Sequence, residues 1–557
     1  VSELQKPSRS LVSIAGIVAV ATLLSKVFGL VRQQAIAAAF GVGSAAGAYN
    51  FAYVIPGFLL ILLGGINGPF HSAIVSVLAK RKRDEVAPIV ETITTLVGGV
   101  LLLVTVALIL FADPLLHLVA PGLYITASQA QAQGISPDQL EALHQTRAIA
   151  IQQFRIMAPM AVLAGLIGIG FGTLNAADQY WLPSISPIFS SLTILIGLGG
   201  LVLTLGDRIL APEYALLGGL VLAWGTLAGA VLQWLAQLPV QWRSGLGGIR
   251  LRFDFQRPEV QEVIRIMGPA TFSSGMMQIN VSTDLFFASF IPQAAAAVSA
   301  MSYAGLLVQT PLGILSNVIL VPLLPVFSRL ADPLHWDELR NRIRQGLLIT
   351  AVAMLPLSAL MIALAVPIVR VIYERYAFDE AASRLTASVL IAYSVGMFVY
   401  LGRDVLVRVF YALGDGDTPF RISIFNIFLN GFLDYLLVGP FGAPGLILAT
   451  VGVNICSMLV LLWCLNRKLH GLPWQSWIAP FLKLTLISVM TGAIAWGILY
   501  GCQHLWGTEG LLIQLIELSL SGAIALGIFV VCATQLRLPE VDMFSDRIRQ
   551  RLSKRSK

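Results

Sequence analysis

The chain has 557 residues, 57% of them hydrophobic and only 12% charged, with a mean hydropathy of +0.82. Soluble proteins average about 25% charged residues, so a soluble globular enzyme is excluded and an all-α polytopic membrane protein is expected. The net charge of +7 calls for no nucleic-acid partner, because most cations fall in one set of loops between apolar segments.

A helix crossing the hydrocarbon core needs about 20 apolar residues. Fourteen segments qualify, over roughly 11–39, 48–79, 87–112, 148–174, 183–206, 213–240, 258–290, 295–328, 343–372, 384–412, 418–438, 442–465, 477–501 and 510–535. The first has a basic start, but its apolar run is too long for a signal-peptide core and no clear cleavage site follows. It is read as a spanning helix. With the N-terminus inside, the inner loops and tail collect 26 cations and the outer loops 5. That bias predicts two cytoplasmic termini and an even number of spans.

The first span carries Ser25-Lys26-Val27-Phe28-Gly29-Leu30-Val31-Arg32. Cations at membrane depth cost about 2.5–3.5 kcal/mol each on insertion scales, so they tend to face a protein interior or a wet cavity. Lys26, Gly29 and Gln33 share one helix face, with Arg32 on its flank. This predicts a cavity wall suited to an anion; the alternative is that both cations snorkel to the headgroup layer. The outer loop 113–147 holds an Ala/Gln/Ser-rich stretch, 127–145, read as a short surface helix. The inner segment 242–257 mixes cations with aromatic residues and reads as an interfacial linker.

The chain also repeats itself. Leu174-Asn175-Ala176-Ala177-Asp178, followed by Pro183, is echoed by Tyr411-Ala412-Leu413-Gly414-Asp415, followed by Pro419. Gly219-Leu220-Val221-Leu222-Ala223 is echoed by Gly445-Leu446-Ile447-Leu448-Ala449. Spans 1–6 and 7–12 are therefore candidate parallel repeats, related by an axis along the membrane normal. The expected organisation is an N-terminal lobe 1–241, a cytoplasmic amphipathic linker 242–257, a C-terminal lobe 258–468, two extra helices in 469–536 and a basic cytoplasmic tail 537–557. A substrate cavity between the lobes and alternating access follow from that layout.

The stretch Ser25 to Arg32, followed by Phe40-Gly41, resembles the first helix of the MurJ (MviN) lipid II flippase family. Gly402-Arg403-Asp404-Val405-Leu406, running into Phe410-Tyr411-Ala412-Leu413-Gly414-Asp415 and Thr418-Pro419, resembles a second motif of that family. The resemblance covers roughly 10–535 and extends to the multidrug/oligosaccharidyl-lipid/polysaccharide exporter superfamily. It implies transfer of an undecaprenyl-diphosphate-linked peptidoglycan precursor to the outer leaflet of the bacterial cytoplasmic (inner) membrane. It also implies a lipid-tail groove on the last two helices and a role in cell-wall biogenesis and cell shape.

Family members bind the diphosphate and sugars with cavity arginines and acids. Arg32 matches one arginine and Lys26 takes the place of another. Gly47 and Leu60 stand where an Asp and an Arg are usual, and Gly65 stands near a usual Glu. Gly305-Leu306 replaces an Asp-Arg pair, and Gln309 replaces a Glu. Substrate-binding candidates are thus Lys26, Arg32, Gln33, Gln278, Asn280 and Gln309. The lost charge puts the exact substrate in doubt.

Asp284, Asn426 and Asn430 form a second polar set, and a carboxylate with amide oxygens is hard-ligand chemistry suited to Na⁺. The resemblance implies sodium there, with Thr450 joining; interhelical hydrogen bonding is the alternative. Arg403 and Asp404 read either as the lining of a gate or as a pair, and pairing is favoured. No phosphate-binding GxxxxGK[ST] loop and no HExxH occurs in the sequence, so no enzyme and no cofactor beyond Na⁺ is expected. The expected partners are the lipid-linked glycan, membrane lipids and cell-wall synthesis proteins, with the chain itself a monomer. Three readings remain open: this flippase, powered by membrane potential or an ion gradient; a flippase for another lipid-linked glycan or a cation-coupled exporter; and a non-transporting cell-wall scaffold.

Overall fold

The computed structural model describes residues 11–65, 68–81, 83–276, 279–507 and 510–535, which are helical with no strand among them. Two compact units divide the chain, Val1–Ser299 with Arg375–Phe378, and Ala300–Glu374 with Asp379–Lys557. The first holds α1 (Leu11–Phe40), α2 (Ser44–Gly64), α3 (Pro69–Leu78), α4 (Arg83–Leu110), α5 (Ala112–Val119), α6 (Ala127–Ala132) and α7 (Pro137–Met157). There follow α8 (Met160–Ala176), α9 (Trp181–Ile185), α10 (Ile188–Leu205), α11 (Ala215–Arg243), α12 (Pro258–Met276) and α13 (Ile279–Ala288). α14 (Ala294–Arg329) begins in the first unit and continues in the second. The second holds α15 (Trp336–Ala363), α16 (Ala365–Tyr373), α17 (Glu380–Val395), α18 (Met397–Ala412), α19 (Asp417–Phe441), α20 (Ala443–Lys468), α21 (Trp474–Trp506) and α22 (Leu511–Gln535).

Eleven helices among the described residues are long and apolar enough to span a membrane, and a twelfth is the pair α7–α8, bent by 41°. The remaining predicted spans, 11–39 and 258–290, correspond to α1 and to α12 with α13. The bend falls at Ala158-Pro159, where proline removes a helical donor. The expected surface helix 127–145 is instead two helices. Ser136 caps α7 by accepting from the Gln139 N–H at 3.3 Å, and Gln139 Oε1 accepts from the Ser136 N–H at 3.0 Å. This reciprocal cap starts a new helix inside the loop, so α7 begins eleven residues before the predicted span.

In the first unit, Leu62, Phe70, Ile74, Ile89, Ile93, Ile169 and Leu174 form a buried core between α2, α3, α4 and α8. After α11 the chain is not helical until α12. It is fastened to α4 by Glu91, which is 5% exposed. Glu91 accepts from the Gly248 N–H at 3.2 Å and from Arg252 Nε at 2.9 Å. Ile249, Leu251 and Phe253 remain exposed on this segment, as do Arg250 and Asp254 beside them. In the second unit, α15 packs against α21 and α22 through Leu348, Ala351, Leu484, Phe529 and Ala533, and again through Leu360, Leu364, Ala495, Leu499 and Ala525. The alanines allow helix backbones to approach closely.

The sequence echo has a backbone counterpart, shifted by one residue. At the end of α8 the Gln179 N–H donates to the Leu174 carbonyl at 2.9 Å, with Asp178 at φ 59°. At the end of α18 the Asp415 N–H donates to the Phe410 carbonyl at 2.9 Å, with Gly414 at φ 72°. Both are six-residue caps closed by a left-handed residue. Asp178 therefore corresponds to Gly414, not to Asp415.

Candidate functional site

The two cations of α1 have different surroundings. Lys26 is exposed, whereas Arg32 is half-buried with its Nε enclosed and without a hydrogen-bond partner. Tyr49 and Tyr53 on α2 stack with centroids 5.5 Å apart and lie within electrostatic reach of Arg32. The Tyr49 hydroxyl is anchored 2.9 Å from Thr226 Oγ1 on α11. A guanidinium with an enclosed, unused donor beside two phenols can serve an anionic oxygen ligand. Gly29, one turn away, has nothing within 4 Å of where a Cβ would stand, so its notch is open. Gln33 is half-buried. Asn280 on α13 is half-buried with its Oδ1 enclosed and unpartnered. Gln278 lies outside the described residues. Gln309 is an exposed residue of α14 in the second unit.

Gly47 is a place of close approach. A Cβ there would lie 2.4 Å from both Cα and Cβ of Ala295 at the start of α14. An acidic side chain has no room at this tight helix contact. Gly305 differs: its nearest neighbour would be the Tyr393 hydroxyl at 3.5 Å, an ordinary contact. No comparable steric reason accounts for a glycine there.

The second polar set divides between the units. Asp284 is a half-buried residue of α13 in the first unit, while Asn426, Asn430 and Thr450 lie in the second. There the carboxylate beside the asparagines is Asp434, fully buried on α19. Asn430 Nδ2 donates to Asp434 Oδ2 at 2.8 Å, and Thr450 Oγ1 on α20 donates to Asn430 Oδ1 at 3.4 Å. Asn426 is 5% exposed with its Oδ1 unpartnered. Asp434 escaped the sequence reading although its signal was present: it continues the Asn426, Asn430 spacing by one more turn inside a span.

Two apolar clefts run along α21. One, of about 310 Å³, is lined by residues such as Leu347, Phe398, Met458, Trp477 and Phe481. The other, of about 480 Å³, includes Leu355, Ile362, Val395, Val489 and Trp496. Thr485 lines both, so they adjoin at that residue. α22 contributes no lining residue to either. Arg403 pairs with Asp404 at 3.8 Å, as expected, and its Nε also donates to Ser457 Oγ at 3.1 Å.

Residues 36–518 match the family described as lipid II flippase MurJ. A probable lipid II flippase MurJ from Synechocystis sp. is 57% identical over 543 residues, covering 98% of each chain. The lipid II flippase MurJ of Burkholderia cenocepacia is 28% identical over 498 residues, covering 88% of this chain and 89% of its own. Among solved structures, a lipid II flippase MurJ in an inward closed conformation matches with a TM-score of 0.69 at 23% identity, covering 92% of this chain and 98% of its own. An inward-facing MATE-family multidrug resistance transporter of the MOP superfamily matches with a TM-score of 0.61 at 15% identity, covering 82% of this chain and 98% of its own. The structural likenesses carry the fold, and the sequence matches carry the affiliation: the chain belongs to the lipid II flippase MurJ family.

Proposed function

We propose that this protein moves lipid II, an undecaprenyl-diphosphate-linked peptidoglycan precursor, from the inner to the outer leaflet of a bacterial cytoplasmic membrane. The observation that carries this is the 57% identity, over nearly the whole of both chains, with a probable lipid II flippase. The chain acts as a transporter with no covalent step, works as a monomer with both termini in the cytoplasm, and meets cell-wall synthesis proteins there. Arg32 engages the diphosphate, and Lys26 and Gln33 lie on the route to it. Asn280, Gln278 and Gln309 contact the sugars. Transfer proceeds by alternating access. The apolar clefts along α21 hold the polyprenyl tail, and their apolar lining supports this.

A negative-inside potential drives the anionic headgroup outward, worth about 2.3 kcal/mol per charge per 100 mV. Sodium supplies further coupling at Asn426, Asn430, Asp434 and Thr450. The donor set of carboxylate, amide and hydroxyl oxygens fits a hard cation. A different lipid-linked glycan is the second reading, favoured by the crowded Gly47, where the usual acid cannot stand.

The test is complementation of a bacterium depleted of its own lipid II flippase, scored by survival and by lipid II exposed outside. Rescue by the wild type, lost with Lys26→Ala/Arg32→Ala at equal membrane abundance, is the expected result. Rescue by both forms removes the site assignment. Failure of a correctly inserted wild type overturns lipid II as substrate in favour of another glycan or a scaffold role.

A further inference from the structure

The helix α22 carries a single charged residue, Glu517, in 25 residues. It is 1% exposed, and its Oε1 is enclosed with no hydrogen-bond partner. An ionisable residue on a spanning helix is costly and marks function by default. Here it faces protein rather than lipid, lining a cavity of about 30 Å³ with Val366, Pro367, Arg370, Gln503 and Gln514. That space admits one or two water-sized species.

Arg370 is the other charged residue lining this cavity. Arg370 is shared by Glu374 at 3.3 Å and Glu380 at 2.8 Å, and Glu380 also holds Arg384 at 2.8 Å. Arg370 is thereby occupied by two other carboxylates, and Glu517, which lines the cavity with it, has no ion-pair partner among the described residues. The amides of Gln503 and Gln514 bring oxygen donors to the same space. No group of three His, Cys, Asp or Glu side chains able to hold a metal occurs among the described residues, so a divalent ion lacks its usual anionic ligands.

We infer that Glu517, Gln503 and Gln514 form a binding site for a small monovalent metal cation of sodium type, fastening α22 to α21. The site is separate from the polar set of α19 and α20, and it stands whether or not the substrate is lipid II.

The test is thermal unfolding of the purified full chain in lipid nanodiscs, in sodium chloride and in choline chloride at equal ionic strength. Asp434→Asn removes the carboxylate of the other candidate cation site and serves as the background. Sodium is expected to raise the unfolding midpoint of that form, and adding Glu517→Gln is expected to abolish the rise. Gln503→Met keeps the carboxylate and guards against misfolding of the first variant. It should raise the sodium concentration needed for half the effect about tenfold, as loss of one supporting group at a metal site does. A sodium response that survives Glu517→Gln, or that is already absent in the Asp434→Asn background, overturns the inference. So does a rise produced by acidification alone with no sodium dependence, which would make the ligand a proton.

Discussion

Replacing Gly47 by alanine probes the close approach of α2 to the start of α14. The new Cβ would sit 2.4 Å from Ala295 Cα, 2.4 Å from its Cβ and 2.8 Å from its carbonyl oxygen. Carbon atoms pack best at about 3.5–4.0 Å, so α2 and the start of α14 must part by roughly 1 Å. Overpacking of this kind costs about 1–3 kcal/mol, and a backbone obstacle puts it at the upper end. Alanine returns about 0.8–1.0 kcal/mol of helix propensity, leaving a net loss near 2 kcal/mol. Gly29→Ala is the matched control. With nothing within 4 Å of its Cβ, it keeps the propensity gain and meets no obstacle. The two variants should therefore differ by about 3 kcal/mol in opposite directions. Thermal unfolding of both proteins in the same micelle measures the difference. Gly47→Ala with the stability of Gly29→Ala would refute the argument, and Ala295→Gly should restore only part of the loss because Cα remains.

Arg32→Gln should abolish rescue in the depleted strain, while Arg32→Lys should retain part of it, since lysine keeps the charge but not the planar fork; equal rescue by both would exclude a geometric role. Glu91→Gln should loosen the segment after α11, because a charge-assisted acceptor for the Gly248 N–H and Arg252 Nε is weakened; hydrogen exchange at the Gly248 amide should speed by the equivalent of about 1–2 kcal/mol. Asp415 is partly buried, which alone would raise its pKa, but bonds from Lys468 and Thr418 outweigh this and hold it below its ordinary value of 3.8. A lowered folded pKa means the contribution is complete above 3.8 and is lost as pH falls through the folded value. The loop between α18 and α19 should therefore become more protease-sensitive only at acid pH, and Asp415→Asn should remove that dependence. Asp434→Asn should weaken sodium-stimulated transport in vesicles more than Asn426→Asp, if the buried carboxylate carries the coupling charge.

The second motif, Arg403 onward, illustrates how far a local pattern reaches. Its spacing gave the Arg403–Asp404 pair and the end of α18, because both are settled within a few residues. The echo at Leu174 was also visible, but its register was not. Identical residue names suggested Asp178 with Asp415, whereas the cap geometry matches Asp178 with Gly414. What matters there is the left-handed backbone, which Asp and Gly both tolerate.

Hydropathy, loop charge and the two motifs determined the helical class, the spans, the family resemblance and Arg32 as a cationic candidate. These properties are written along the chain: transfer of an apolar run into lipid depends on local composition, and so does the distribution of loop cations. The bend at Pro159 and the cap at Ser136 are equally local, each set by a proline or a capping box within a few residues. Tertiary structure alone decided that Lys26 is exposed while Arg32 Nε is enclosed, that Gly47 meets Ala295, and that Asp434 answers Asn430. It also decided that the one acid of α22 faces a cavity. Each of these depends on which helix face meets which neighbour. That choice is made by close packing between segments distant in sequence, and a one-dimensional pattern records the faces without naming their partners.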